Sequence, residues 1–366
     1  MADYGKWLDN LGNDNAAVDG LVPVSGYIKA GRPPEEVVIM EKAAEYGAHA
    51  VFFEAGRNDR PAVAQAFIFI SDGPEKDLEF AALHQRLWSW GGVPLLYRKT
   101  RGLVQLFRCA HKPDFVNPKG KIVCHPIKRL KLATEISSDP WWDATRLRNG
   151  TLWDDPTTTK LLLSSHKAAH RKLFATVKKL YQDLNAEKLL SDSLRRKLLI
   201  LSLLIAYLEA REVLLPDYFA QFLPGATKFF QVLSNGQALL DLLANLEERF
   251  NGNVFTLSDD DRQFLPSNSQ QLERFATLVE AKQEITGQLS FWELYSFKDL
   301  PVELISQIYQ LFVEAPDEAV YTPPFLVRLM LDEILDEKRL DRLQQNDEVI
   351  LDPSCGSGVF KAQRAE

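Results

Sequence analysis

The feature that most constrains this fold is a strand-like run near the end of the chain. Val349-Ile350-Leu351 is short and apolar, the pattern of a buried parallel strand. Asp352-Pro353-Ser354-Cys355-Gly356-Ser357-Gly358 follows as a tight glycine-rich turn that leads into the start of a helix. That order sets backbone N–H groups at the carboxyl end of a strand, where open α/β sheets bind their ligands. Gly356 and Gly358 let the backbone turn sharply and approach a ligand closely. Asp352, at the strand tip, is positioned to accept hydrogen bonds from a bound small molecule.

Several readings compete for such a turn. A Walker loop needs Gly-x-x-x-x-Gly-Lys-Ser/Thr, whereas Lys361 has no glycine before it and no hydroxyl after it. A nicotinamide fingerprint needs a third glycine and a ribose-binding acid about 20 residues on, and the chain stops at Glu366. An ordinary strand-to-helix turn is a third reading. The fourth is a resemblance: Asp-Pro-x-Cys-Gly-Ser-Gly resembles the S-adenosylmethionine-binding motif of adenine-specific DNA methyltransferases that modify the exocyclic amine.

Two upstream segments extend the resemblance. In Tyr321-Thr322-Pro323-Pro324, Thr322 is a good N-cap and Pro323 suits a first helical turn. The helix then runs toward Asp336 with Leu326, Met330 and Ile334 on one face. This segment resembles the motif that precedes the cofactor loop in the same enzymes. Phe297-Lys298-Asp299-Leu300-Pro301, continuing to Tyr309, resembles their lead-in helix. The resemblance covers residues 297–360. It is closest to large single-chain enzymes of the Type IIG restriction–modification and related phage-defence kind.

The resemblance implies S-adenosylmethionine as cofactor of the complete enzyme, held by Tyr321, Thr322, Pro323, Asp352, Pro353, Cys355, Gly356 and Gly358. It implies DNA as substrate, with the target adenine flipped from the duplex and held by an Asn/Asp-Pro-Pro-Tyr/Phe motif. That motif does not occur before Glu366. The expectation is therefore a truncated methyltransferase domain with no catalytic residue of its own and no methyl transfer by this chain alone. Whether the chain is an enzyme stays open, and a second polypeptide carrying the rest of the methyltransferase is an expected partner. The alternative is a non-catalytic DNA- or partner-binding module from a truncated or split methyltransferase.

Charge supports a nucleic-acid partner. Residues 98–200 carry 22 basic and 9 acidic side chains, a net +13, between an N-terminal part at −6 and a C-terminal part at −14. A basic middle between acidic ends is a candidate nucleic-acid face or a solvated helical surface. Its densest part has Arg98, Lys99, Arg101, Lys128, Arg129 and Lys131 as the expected DNA-binding residues, on and after a hairpin, as a phosphate clamp. Lys160, Lys167, Arg171, Lys172, Lys178 and Lys179 make the first long helix basic.

The N-terminal pattern is α-β-β-α-β-β. A helix is expected over 34–46, opened by prolines and acids. Aromatic-rich strands follow at Ala50-Val51-Phe52-Phe53 and Ala66-Phe67-Ile68-Phe69-Ile70, then a helix over 75–90 and a second hairpin over 93–107. This order is similar to restriction-type nuclease cores. Glu54 ends the first strand, but no Glu-x-Lys stands on a neighbouring strand to complete a metal site. A scaffold or DNA-contacting domain is the expectation, without metal. Cys109, His111, Cys124 and His125 do not have finger spacing. Trp141, Trp142 and Trp153 stack on bases or pin a linker to a core; the second is favoured.

From residue 158 to 312 the pattern is helical, punctuated by Pro216, Pro224-Gly225, Asn251-Gly252 and Pro266, with an N-cap signature at Ser258-Asp259-Asp260-Asp261. Three cysteines, an odd and sparse set, indicate a reducing compartment. No leader or membrane span is expected, so the placement is cytoplasmic with no membrane partner. The expected fold class is mixed α/β: an α+β domain over 1–135, a mainly helical connector over 136–300, basic at its start, and over 301–366 the beginning of a Rossmann-like S-adenosylmethionine-binding methyltransferase domain.

Overall fold

The structure is a computed structural model. It describes residues 6–9, 18–56, 62–71, 76–109, 114–116, 121–123, 125–132, 135, 137–162, 169–250, 253–280 and 295–301, with single positions 304, 308, 326, 330, 331, 334, 339 and 342. The chain is of mixed α/β class and divides into two compact units. The first comprises Met1–Leu173, Gln283–Leu289 and Glu293–Asp299; the second comprises Phe174–Lys282, Ser290–Trp292 and Leu300–Glu366.

The first unit is built on a six-stranded sheet. Its strands are β1 (Leu21–Pro23), β2 (Ala50–Phe53), β3 (Ala64–Ile70), β4 (Leu95–Thr100), β5 (Leu103–Arg108) and, after a small hairpin of β6 (Asp114–Val116) and β7 (Lys121–Val123), β8 (Lys128–Lys131). The order is β1-β2-β3-β4-β5-β8. Every neighbouring pair is antiparallel except β3 and β4. That pair is parallel because the 15-residue α3 (Lys76–Trp90) carries the chain back to the same end of the sheet. A two-residue turn, Arg101-Gly102, joins β4 to β5, and Gly102 supplies the positive φ (69°) that such hairpins require.

Both faces of the sheet are covered. Val51, Phe53, Phe67, Phe69, Leu96 and Phe107 point to one side, where they meet Met40 and Ala43 of α2 (Pro34–Glu45) and Phe80 and Leu87 of α3. Ala50, Phe52, Ala66, Ile68, Leu95, Tyr97, Val104, Leu106 and Leu130 point to the other. That second face is covered by Trp7 and Leu8 of the short α1 (Lys6–Asp9) and by Trp141, Trp142, Leu147, Leu152 and Leu162. The last five come from a turn at Pro140–Trp142, from α4 (Ala144–Asn149), from a turn at Thr151–Trp153 and from α5 (Pro156–Leu162). The segment after residue 135, linker-like in its Asp, Pro and Thr content, thus supplies five of the sixteen buried residues on the second face of the first unit's sheet. Its tryptophans do pin it. Trp7 donates its indole N–H to the Trp142 carbonyl at 2.8 Å, and Tyr97 donates its hydroxyl to the Trp141 carbonyl at 2.5 Å.

A short strap completes this unit. Tyr295 stacks on Trp88, with ring centroids 5.1 Å apart, and the Ser296 amide donates to Ser89 Oγ at 3.0 Å. The expected lead-in helix begins here as a tight turn, Phe297–Asp299, with Phe297 and Asp299 buried.

The second unit is helical where described. It holds α6 (Ala169–Glu187) from Phe174 onward, α7 (Asp192–Ala210), α8 (Pro216–Ala220), α9 (Phe229–Leu233), α10 (Gly236–Phe250), α11 (Asp259–Ser267) and α12 (Ser269–Glu280). Ser191 caps α7 by accepting from the Leu194 amide, and Ser258 caps α11 by accepting from the Asp261 amide. Leucine faces on α7 and α10 and Leu272, Phe275 and Val279 of α12 form the buried side. Positions Leu304 and Ile308 are helical and buried; Leu326, Met330 and Ile334 are helical and exposed. No helix among the described residues is long and apolar enough to cross a membrane.

Candidate nucleic-acid interface

The six basic residues expected to clamp phosphate occupy β4, the β4–β5 turn and β8. Strand alternation divides them between the two faces of the sheet. Leu130 is buried on the tryptophan face, so Lys128 shares that face and Arg129 and Lys131 take the opposite one. On β4, Tyr97 lies on the tryptophan face and Lys99 with it, while Arg98 points toward α3.

Arg98 is not available to a phosphate. Its side chain is 4% exposed, its Nε donates to Ser71 Oγ at 2.7 Å, and Nη1 pairs with Asp77 at 2.5 Å. Its guanidinium lies over the Phe80 ring at 4.9 Å. It anchors α3 to the sheet: the guanidinium is buried, while its Asp77 partner is 66% exposed. Lys128 is also engaged: its ammonium sits 4.8 Å from the Trp141 ring centroid, a cation–π contact of roughly 0.5–2 kcal/mol. Lys99 is half-buried.

The remaining three gather at one corner. Arg101 is exposed in the turn, and Arg129 and Lys131 are exposed on β8, the last strand of the sheet. The register brings them together: Leu103 lies opposite Lys131, Gln105 opposite Arg129, and the Leu132 amide donates to the Gly102 carbonyl at 3.0 Å. The sequence reading missed Glu135, whose carboxylate accepts from the Lys131 amide at 2.9 Å and brings a negative charge to this corner.

The expected cofactor residues Tyr321, Thr322, Pro323, Asp352, Pro353, Cys355, Gly356 and Gly358 lie outside the described residues. So do Lys119, Lys167, His111 and Cys124. Cys109 is enclosed between sheet and helices, and burial pushes its thiol up from the ordinary range, so it packs as an apolar group. Among the described residues no three His, Cys, Asp or Glu side chains converge to hold a metal. Glu54, at the end of β2, accepts from the amide of Gln65 on β3 at 2.9 Å, and Gln65 in turn accepts from the Trp153 indole at 2.5 Å. This chain ties the sheet to its tryptophan cover. Gly150 permits it: a Cβ there would stand 2.4 Å from a Glu54 carboxylate oxygen.

Comparison with family models, with curated proteins and with solved structures gives no match to this chain.

Proposed function

We propose that this chain is the N-terminal, DNA-engaging portion of a site-specific, S-adenosylmethionine-dependent adenine DNA methyltransferase of the restriction–modification or phage-defence kind. The observation that carries the reading is the order of three motifs in one sequence: Phe297-Lys298-Asp299-Leu300-Pro301, then Tyr321-Thr322-Pro323-Pro324, then Asp352-Pro353-Ser354-Cys355-Gly356-Ser357-Gly358. In this reading residues 301–366 open the Rossmann-like cofactor domain, S-adenosylmethionine lies against the glycine turn, and the exposed corner of Arg101, Arg129 and Lys131 supplies phosphate contacts.

The test is amide NMR of the chain titrated with millimolar S-adenosylmethionine. Shifts at Gly356 and Gly358 that vanish in Asp352→Ala support the reading. No shift in either motif at saturating cofactor overturns it.

One observation favours a non-catalytic, partner-binding module instead. Leu326, Met330 and Ile334 are spaced by four on a helix and are 37%, 41% and 49% exposed. That reading requires a silent cofactor titration together with a partner chain lost on Met330→Glu.

A further inference from the structure

We infer that the edge strand β8 takes the sugar–phosphate backbone of duplex DNA and neither stacks on nor reads its bases. The inference rests on the DNA-engaging half of the reading above and specifies what kind of DNA contact this surface makes.

Strand geometry comes first. Arg129 and Lys131 are two residues apart on one strand and point to the same face, so their Cα atoms are about 6.8 Å apart. A DNA strand presents one charge per roughly 3.4 Å of axis, so two such side chains meet two phosphates of the same strand. Neither residue forms an ion pair with a described residue, and both are exposed. Because β8 ends the sheet order, no further strand of that sheet lies beyond them among the described residues.

The second observation concerns aromatic side chains. Binding to unpaired bases uses rings on which the bases stack. Trp141 and Trp142, on the sheet face opposite Arg129 and Lys131, are enclosed: Trp141 is 9% and Trp142 1% exposed, and the Trp141 ring is faced by Lys128. Among the described residues of the first unit, the large apolar side chains left exposed are Ile28, Val38, Val63 and Leu78. None is aromatic and none lies on β4, β5 or β8. Among the described residues the corner therefore offers cations and no exposed aromatic ring, which is the chemistry of backbone contact. Glu135 opposes it at short range.

The test uses the whole 366-residue chain, without cofactor, against a short labelled duplex and a single strand of mixed sequence and equal length. Anisotropy is followed against salt, and tryptophan emission is followed on binding. The expected result is duplex binding that weakens with salt and leaves tryptophan emission unchanged. Arg129→Glu with Lys131→Glu should lower the slope of log K against log salt by about 1.8, two contacts at 0.9 each. Glu135→Gln, a surface change that leaves the sheet intact, should tighten binding several-fold. Tighter binding to the single strand with quenched tryptophan, or a duplex slope that neither variant moves, overturns the inference and leaves DNA engagement standing. Absence of all DNA binding at low salt overturns both, while the cofactor titration still decides the methyltransferase reading separately.

Discussion

The guanidinium of Arg86 donates Nε and Nη2 to the two carboxylate oxygens of Asp299, at 3.0 and 3.1 Å, across 213 residues of sequence. Tyr46 adds its hydroxyl to the same carboxylate at 2.9 Å, and Ser296 Oγ donates as well. Arg86 also lies over the Tyr46 ring, 4.9 Å from its centroid. One buried anion thus collects donors from α3, from the residue after α2 and from the strap.

Removing the cation leaves that anion short of its strongest partner. Arg86→Met should destabilise the first unit by about 2–3 kcal/mol, below the full value for a buried pair because Arg86 is 35% exposed. Amides of residues 295–299 should lose exchange protection first. Adding Asp299→Leu to Arg86→Met should recover much of the loss, since an apolar pair replaces a buried ionic one at little cost. A denaturant midpoint unchanged in Arg86→Met would contradict this account.

The same cluster sets a pH window. Burial pushes the Asp299 carboxyl up, but the hydrogen bonds from Arg86 and Ser296, the charge of Arg86 and the Tyr46 hydroxyl together outweigh it and hold it below the ordinary 3.8. A depressed carboxyl contributes stability above pH 3.8 and loses it as pH falls through the lowered value. Tyr46 moves the other way: burial, then the Asp299 charge and hydrogen bond, raise its phenol above the ordinary 10.0. Its contribution is complete below pH 10.0 and is lost as pH rises toward the raised value. Urea midpoints measured across pH should show the acid loss shrink in Asp299→Asn and the alkaline loss shrink in Tyr46→Phe.

Trp7 sits edge-on to Phe52 and Tyr97, with centroids 5.3 and 5.6 Å away. Trp7→Ala should cost the first unit about 3 kcal/mol through lost burial and the cavity left behind. On the DNA contact proposed above, the duplex affinity of the folded protein should not change. Equal loss of DNA binding under folding conditions would place Trp7 in the interface and sink that separation of roles.

Gly236 poses a contest of signs. Helix propensity favours alanine over glycine by up to ~1 kcal/mol. A Cβ at Gly236, however, would stand 2.0 Å from the Leu265 carbonyl oxygen of α11. Backbone does not yield as a side chain does, and overpacking of this kind costs about 1–3 kcal/mol. Gly236→Ala should therefore destabilise the second unit, and a raised thermal midpoint would refute the close apposition of α10 and α11.

The α-β-β-α-β-β order was legible because Phe52, Phe53, Phe67 and Phe69 cluster in short runs and because Gly91-Gly92 ends α3 in sequence as in structure. The Ser258 cap was legible for the same local reason. The extent of the first unit was not. Composition marks 136–158 as linker, and nothing local shows that Trp141 and Trp142 face a sheet built from residues far upstream. The basic segment was legible only as a count of charges. Alternation around Leu130 separates Lys128 from Arg129 and Lys131, but only the fold shows Arg98 sealed against Asp77 and Phe80. The pairing of Arg86 with Asp299 leaves no mark in sequence, since each residue alone reads as an ordinary surface charge.

The first unit is discontinuous: Met1–Leu173 is joined by Glu293–Asp299 only after the chain has passed through Phe174–Lys282. A ribosome adding roughly 5–20 residues per second needs about 6–25 s to travel from the end of one piece to the end of the other. During that interval Arg86 and Tyr46 are already synthesised, while Asp299 is still to come. The helical layer of the sheet therefore spends seconds of each synthesis without its shared anion, exposed to chaperones and proteases. A nascent chain arrested before residue 295 should be more readily cleaved near α2 and α3 than one arrested well after Asp299.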